Sequence, residues 1–217
     1  MHPTLEIPCA PDFELTGHGT NPAWQTVEWV PLARVGTGRS RYATRGKALY
    51  STTGIYFLVE AEDERLTCTL TEDFSDLFRE DVIEVFLWPD ERHPVYFEYE
   101  ISPLGYELPV LVSNNAGQFC GWLPWHFYKT RKTRLATVVR GGEKQPHAAV
   151  AGWTVEFFIP FALLVGLGNS LPQPGTQWRV NLCRIDYDVG SPSHWSWAPV
   201  AGNNFHDYTN FGRLVFR

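Results

Sequence analysis

Short apolar runs recur along the chain, and turn residues separate them. The clearest runs cover residues 55–61, 81–88, 95–101, 153–159 and 178–186. They are rich in β-branched and aromatic residues and are bounded by Gly, Pro, Asp or Asn, which is the pattern of β-strands. About eight to eleven such runs occur without a long amphipathic helix. The sequence therefore predicts an all-β fold, an antiparallel β-sandwich of jelly-roll-like type.

The length of 217 residues fits a single domain of this class. Residues 1–20 form a polar segment with Pro, Gly and His, which predicts an extended N-terminal arm, and residues 21–217 form the sandwich. Residues 71–80 are the densest cluster of acidic and aromatic residues. Residues 106–128 lose the strand periodicity and predict a long aromatic loop, and long loops in compact domains are often functional.

The carboxylates of two neighbouring predicted strands give the first functional signal. Side chains alternate faces along a strand, so Glu98 and Glu100 share a face with Tyr96. Glu84 lies inside an apolar strand, where an unpaired charge is costly. One interpretation is a polar sheet face that accepts hydrogen bonds from ligand hydroxyls or holds a metal. The other places Glu98 and Glu100 in solvent and Glu84 in a structural ion pair.

Charge and composition restrict the classes of molecule that the protein is expected to bind. The net charge of −6 argues against nucleic acid, since phosphate binding needs clustered Lys and Arg. No glycine loop for nucleotide phosphates occurs, and no window approaches the roughly 20 apolar residues of a membrane span. The start lacks a signal peptide, so we expect a cytoplasmic or a processed secreted protein. The four cysteines lack zinc spacing, and nothing in the sequence indicates the oligomeric state.

High aromatic content favours saccharide binding. The apolar face of a sugar ring stacks on aromatic planes, while its hydroxyls pair with Glu, Asp, Asn and Arg. Nine tryptophans are present, and we assign Trp24, Trp153 and Trp178 to the core because they stand among strand residues. Exposed aromatics are expected in the segments 71–80, 118–128 and 194–208.

The chain resembles the family 9 carbohydrate-binding modules and their relatives. The blocks that carry the resemblance follow the family order over nearly the whole chain after residue 20. They are NPAW at 21–24, GIYF at 54–57, DVIEVF at 81–86, YFEYEISPLG at 96–105, GWTVE at 152–156, IPF at 159–161, PGTQWRVN at 174–181, RID at 184–186 and FGRLVF at 211–216.

The resemblance implies a β-sandwich that binds a glucose- or xylose-type unit, often a chain's reducing end, between two aromatics. The family Glu corresponds to Glu84, and the first aromatic to Phe78, where a Trp is usual. An acidic residue, Glu98 or Glu100, stands where a family Arg is expected. With the aromatic segments, the candidate ligand-binding residues are Phe78, Glu84, Glu98, Glu100, Trp125, Arg184, Trp197, Asn203 and Phe205, with Asn204 as the alternative amide.

The resemblance also implies structural calcium. Asp73 and Asp76 of the acidic loop, with Asp186 and Asp188, offer the oxygen ligands that calcium prefers. Two other functions stay open. One is a sugar-active enzyme that uses Glu84, Glu98 and Glu100 as acid and base, and the other is a structural module without a sugar site. A haem domain with Met/His ligation is disfavoured, because Met1 is the only methionine.

Overall fold

The computed structural model describes residues 2–37, 41–126, 128–188 and 191–217. The strands in these ranges are β1 (Thr4–Ile7), β2 (Val30–Pro31), β3 (Ala33–Arg34), β4 (Thr44–Tyr50), β5 (Gly54–Ala61), β6 (Val82–Trp88), β7 (Val95–Ile101), β8 (Glu107–Asn115), β9 (Gln118–Pro124), β10 (Arg134–Arg140), β11 (Gly152–Pro160), β12 (Gln177–Asp186), β13 (Ser193–Ser196) and β14 (Gly212–Phe216). One short helix, α1 (Phe161–Leu164), continues as a 3-10 turn, Val165–Leu167. Other 3-10 turns cover Pro22–Thr26, Leu77–Arg79, Lys129–Arg131 and Tyr208–Asn210.

Two sheets pack face to face, which confirms the predicted sandwich. The larger sheet runs β1-β14-β12-β6-β7-β8-β9, with β13 and β3 attached to β12, and the smaller runs β10-β11-β5-β4-β2. All pairings except the parallel β1–β14 pair are antiparallel. The inner faces of both sheets contribute the main core, including Trp153 and Trp178 as predicted. Such burial of apolar area is the dominant stabilising term.

The outer face of the larger sheet is also buried. Val82, Phe86 and Trp88 of β6 point away from the main core and pack beneath the segment 205–211. Because side chains alternate along a strand, β6 must be apolar on both faces. This explains why residues 82–88 form a nearly continuous apolar run in the sequence.

Residues 13–20 of the N-terminal arm lie on the outer face of the smaller sheet, whereas Thr4–Ile7 form the edge strand β1 of the larger sheet. Phe13 stacks on Tyr56 with ring centroids 4.3 Å apart and meets Trp24 edge to face. The carboxylate of Glu156 on β11 accepts hydrogen bonds from the Trp24 indole and from the backbone of Thr16 and Gly17. The arm is therefore anchored through a buried polar centre as well as through aromatic contacts.

Two elements differ from the sequence-based expectation. Residues 106–128 contain the hairpin β8–β9 instead of one long loop. Residues 66–70, whose apolar pattern also predicts a strand, form none. Among the described residues, no helix is long and apolar enough to cross a bilayer.

Candidate functional site

Three carboxylates lie together on the outer face of the larger sheet. Glu84 of β6 pairs in register with Glu100 of β7, and Phe86 pairs with Glu98. The three glutamates each bring a carboxylate oxygen within 4.8 Å of the others. Their side chains are buried, with exposed fractions of 3–4%. We call Glu84, Glu98 and Glu100 the carboxylate triad.

The triad forms the floor of a cavity of about 340 Å³. Phe78 comes from the acidic loop, Phe119 and Trp122 come from the edge strand β9, and Phe205 comes from the C-terminal segment. Phe119 and Trp122 are 46% and 40% exposed, so their rings are open to a ligand. Ile185, His194, Asn203, Asn204 and His206 complete the lining. The cavity thus combines aromatic walls, carboxylates and amides in one place, as small-molecule sites do.

Burial shifts the protonation of the triad toward the neutral form. It raises the pKa of Glu84 to about 8. Burial, followed by the charge of Glu84, raises the pKa of Glu98 well above its usual value. The same causes, with the charge of Glu98, raise the pKa of Glu100. Desolvation disfavours the charged form of an acid, and neighbouring carboxylates add to the effect.

His206 lies beside the triad without neutralising it. Its Nδ1 is 2.8 Å from the Tyr96 hydroxyl and 3.9 Å from Glu98 Oε2. Burial lowers the pKa of His206 to about 4, so the ring is neutral at neutral pH. Its backbone carbonyl accepts a hydrogen bond from the Asn114 amide at 3.0 Å. These contacts fix the C-terminal segment over the cavity.

A sequence comparison decides the family. The family described as carbohydrate family 9 binding domain-like matches residues 15–217, which is most of the chain. The chain belongs to that family. A comparison with curated proteins finds no match for this family 9 domain.

Solved structures share the fold of this family 9 domain. A candidate carbohydrate-binding protein from Bacteroides uniformis superposes with a TM-score of 0.79 at 15% identity, with both chains fully covered. A family 9 module from Caldicellulosiruptor kristjanssonii in complex with cellotriose gives 0.68 at 15% identity, covering 99% of this chain and 93% of that one. The same organism's module in complex with glucose gives 0.67 at 15% identity, covering 99% and 95%.

Six of the nine predicted ligand-binding residues line the cavity. They are Phe78, Glu84, Glu98, Glu100, Asn203 and Phe205. The register of β6, β7 and β12 excludes the interpretation of Glu98 and Glu100 as solvent-facing residues, since both are buried. It also gives Glu84 no ion-pair partner among the described residues, because the residue opposite it on β12 is Cys183.

The remaining three predicted residues lie outside the cavity. Arg184 follows Cys183 on β12 and therefore points to the inner face, where it is fully buried. The indole of Trp125 donates to the Leu163 carbonyl at 2.9 Å and packs against the main core. Trp197 also packs against that core, with its ring over Gly212 of β14.

Five residues that line the cavity were not among the predicted ligands, namely Phe119, Trp122, Ile185, His194 and His206. Phe119 and Trp122 lie in the segment 118–128 that was expected to expose aromatics, but Trp125 was chosen there. His206 lies next to the predicted Phe205. The aromatic content of the segments 118–128 and 194–208 was the available signal. The sequence could not predict which side of β9 faces the cavity, because this depends on how β9 pairs with β8.

The predicted calcium ligands separate into two places. Asp73 accepts a hydrogen bond from the Glu107 backbone, and Asp76 pairs with Arg79. Asp186 and Asp188 instead cluster with Asp63, which the sequence did not single out.

The Asp63–Asp186–Asp188 cluster already contains a cation. Arg184 pairs with Asp63 at 3.1 Å and with Asp186 at 2.6 Å. Tyr42 donates to Asp188 Oδ2 at 2.6 Å, which leaves Asp188 Oδ1 as the buried oxygen without a partner. Calcium takes six to eight oxygen ligands. These residues therefore do not fit calcium while Arg184 occupies their carboxylates, and calcium binding stays a prediction of the sequence.

The carboxylate triad predicts a pH-dependent stability. Below the ordinary glutamate pKa of 4.5 the carboxyls are protonated in both states, and their contribution to stability is complete. As the pH rises toward about 8, the unfolded chain loses these protons before the folded chain does. We expect the free energy of unfolding, measured by urea denaturation, to fall by at least about 2 kcal/mol across this window.

A pair of variants isolates the contribution of the triad to the pH dependence of stability. Burial also raises the pKa of Asp63 to about 7 and that of Asp81 to about 8, so the wild-type curve contains their contributions. Glu98→Gln should flatten the curve, whereas Glu143→Gln, at an exposed position, should leave it unchanged. Equal slopes for the two variants would rule out the triad as a source of the pH dependence.

Proposed function

We propose that this domain binds a saccharide without acting on it, with one sugar unit in the cavity over the carboxylate triad. The observation that carries the proposal is the meeting of aromatic planes, carboxylates and amides around a cavity of about 340 Å³. Aromatic faces stack on the apolar side of a sugar ring, while carboxylates accept hydrogen bonds from its hydroxyls.

Of the glucose- and xylose-type units that the resemblance implies, the similar structures support the glucose type. The two family 9 modules of the same fold were solved with cellotriose and with glucose. Fold alone does not determine function, so the argument rests on the cavity of this chain. Its walls come from three separate segments, and the aromatic residue of each, such as Phe78 or Phe205, lies where it can contact a ring.

The layout of the triad favours binding over hydrolysis. Glycoside hydrolysis needs two carboxylates that flank the scissile bond, one as acid and one as base or nucleophile. Here Glu84, Glu98 and Glu100 project from neighbouring strands on the same sheet face, so all three lie beneath a bound ring. The raised pKa values of these carboxyls keep the enzyme alternative open to test. Release of chromophore from chromogenic glycosides would overturn the non-catalytic proposal.

Removing an aromatic wall should weaken binding. We expect Phe78→Ala to lower the affinity for the best of glucose, cellobiose and xylobiose by roughly tenfold, because one stacking contact is worth about 0.5–1.5 kcal/mol beyond its buried area. Isothermal titration calorimetry measures the change.

Phe74→Ala is the matched control for this variant. Phe74 lies in the same acidic loop, but its ring packs near His126 and lines a different cavity. Its affinity should equal that of the wild type. Equal losses in both variants would place the sugar elsewhere, and no binding by the wild-type domain to any of these sugars would contradict the proposed function.

A further inference from the structure

The cavity brings three acidic side chains together with no protein cation from the described residues beside them, and burial favours the protonated form of all three in the ligand-free site. Glu84, Glu98 and Glu100 bring carboxylate oxygens within 4.8 Å of one another. No Lys or Arg side chain lines the cavity in the part of the chain that the structure describes. Burying like charges together is costly unless a partner or protons neutralise them. A ligand group with a positive charge would therefore be favoured next to the triad.

The triad also has unused hydrogen-bonding capacity. Glu100 Oε2 is fully buried and has no hydrogen-bond partner. Burial raises the pKa of Glu84, and burial together with the charge of Glu84 raises the pKa of Glu98. No hydrogen-bond donor contributes to either shift, so neither carboxyl has a donor partner among the described residues. A buried acceptor without a donor costs free energy, which a ligand donor would recover.

The nearest protein nitrogen does not supply the charge. His206 Nδ1 is 3.9 Å from Glu98, beyond hydrogen-bond distance, and is 2.8 Å from the Tyr96 hydroxyl. Burial lowers the pKa of His206 to about 4, so the imidazole is neutral when the carboxylates are charged. Protons therefore neutralise the ligand-free triad, and a cationic ligand group could take their place.

We propose that the carboxylate triad binds a protonated primary amine, so that the ligand of this cavity is an amino sugar with a free amino group. The inference rests on the proposed function, since it names the sugar class of the same site. An ammonium group has three N–H donors and no acceptor, which matches three carboxylates on one floor. The half-exposed rings of Phe119 and Trp122 offer faces for the sugar ring and for the cation.

Calcium fits the cavity less well. Calcium needs six to eight oxygens, and beyond the triad the described lining is mostly aromatic, with two amides. Of these, Asn204 Oδ1 already accepts a hydrogen bond from the His206 backbone at 3.0 Å. The lining therefore suits one compact group with several donors above the triad and an apolar ring beside it.

The first experiment compares three sugars of the same ring. D-glucosamine, D-glucose and N-acetyl-D-glucosamine are titrated calorimetrically into the whole domain at neutral pH, with calcium and with EDTA. Acetylation removes the charge of the amine and keeps the ring. We expect glucosamine to bind at least about tenfold more tightly than the two neutral sugars, with no effect of EDTA, because charge-assisted hydrogen bonds are worth about twice a neutral one.

The second experiment removes one carboxylate at a time. In Glu98→Gln and Glu100→Gln, the ratio of glucosamine to glucose affinity should fall by about tenfold, because each change removes one charged acceptor. The exposed Glu143→Gln is the matched control and should retain the wild-type ratio. A thermal unfolding transition for each variant shows that the fold is intact.

The outcomes separate the inference from the proposed function. Equal affinity for glucose and glucosamine overturns the amine inference and leaves saccharide binding in place. Glucose binding that requires calcium also overturns it, in favour of a bridging metal ion. No binding of any sugar overturns both. A preference for glucosamine that survives in both triad variants would place the amine outside the triad and contradict the assignment.

Discussion

Replacement of Arg184 by methionine is expected to lower the free energy of unfolding by about 3–5 kcal/mol. Arg184 is fully buried, and its guanidinium bonds to Asp63, Asp186, the Thr44 hydroxyl and the Glu62 carbonyl. Methionine fills a similar volume but leaves buried carboxylates without a counter-ion. An unpaired buried charge costs more than the ion pair contributes.

Urea denaturation of the wild type and of two variants measures this effect. Arg45→Met is the matched control, because Arg45 pairs with Glu60 while half of its side chain is exposed. Exposed pairs contribute at most about 1 kcal/mol. Similar losses in the two variants would show that the Arg184 network has no special role. Partial recovery in a double variant with Asp63→Asn would show that the lost stability comes from the unpaired carboxylates.

The second large effect is expected at the anchor of the N-terminal arm. We expect Glu156→Ala to cost about 3 kcal/mol or more, since several buried donors lose their acceptor. Its carboxylate accepts from the Trp24 indole at 2.7 Å and from the Thr16 and Gly17 backbones at 2.8 Å. The loss should be local as well as global, because these donors hold the arm against the smaller sheet.

Hydrogen exchange combined with urea denaturation tests this anchor. In Glu156→Ala, amide protection should fall most in residues 13–24, where the arm meets the sheet. Glu28→Ala changes an exposed glutamate near the same segment and should alter neither measurement. Uniform loss of protection over the whole chain would mean that Glu156 supports the sandwich in general and has no specific role in docking the arm.

The sequence predicted the fold class because the strand pattern is strong where both sheets are buried. Runs such as 82–88 and 153–159 are continuous because both of their faces pack against other residues. The hairpin β8–β9 was missed because β9 is an edge strand with one partner and an exposed surface. Its register also shifts between Ser113 and Asn114, which breaks the alternation.

The candidate site was predictable in its floor but not in all of its walls. Alternation along β7 placed Glu98 and Glu100 on one face, and their position next to Glu84 followed from neighbouring strands. The sheet face to which Arg184 points depends on the strand register, because a shift of one residue moves a side chain to the opposite face. Trp125 and Trp197 belong to segments whose path between elements the sequence does not specify, so their burial against the main core could not be predicted.

The carboxylate triad has an evolutionary consequence. Random substitution tends to remove arrangements that reduce stability unless selection for function retains them. Replacing any of the three glutamates by an uncharged residue would relieve repulsion in a nearly dry environment, so such changes are easily accessible to drift. A substitution at Glu84, Glu98 or Glu100 that makes the ligand-free domain more stable should therefore weaken the binding of its ligand, which is a trade-off between stability and function.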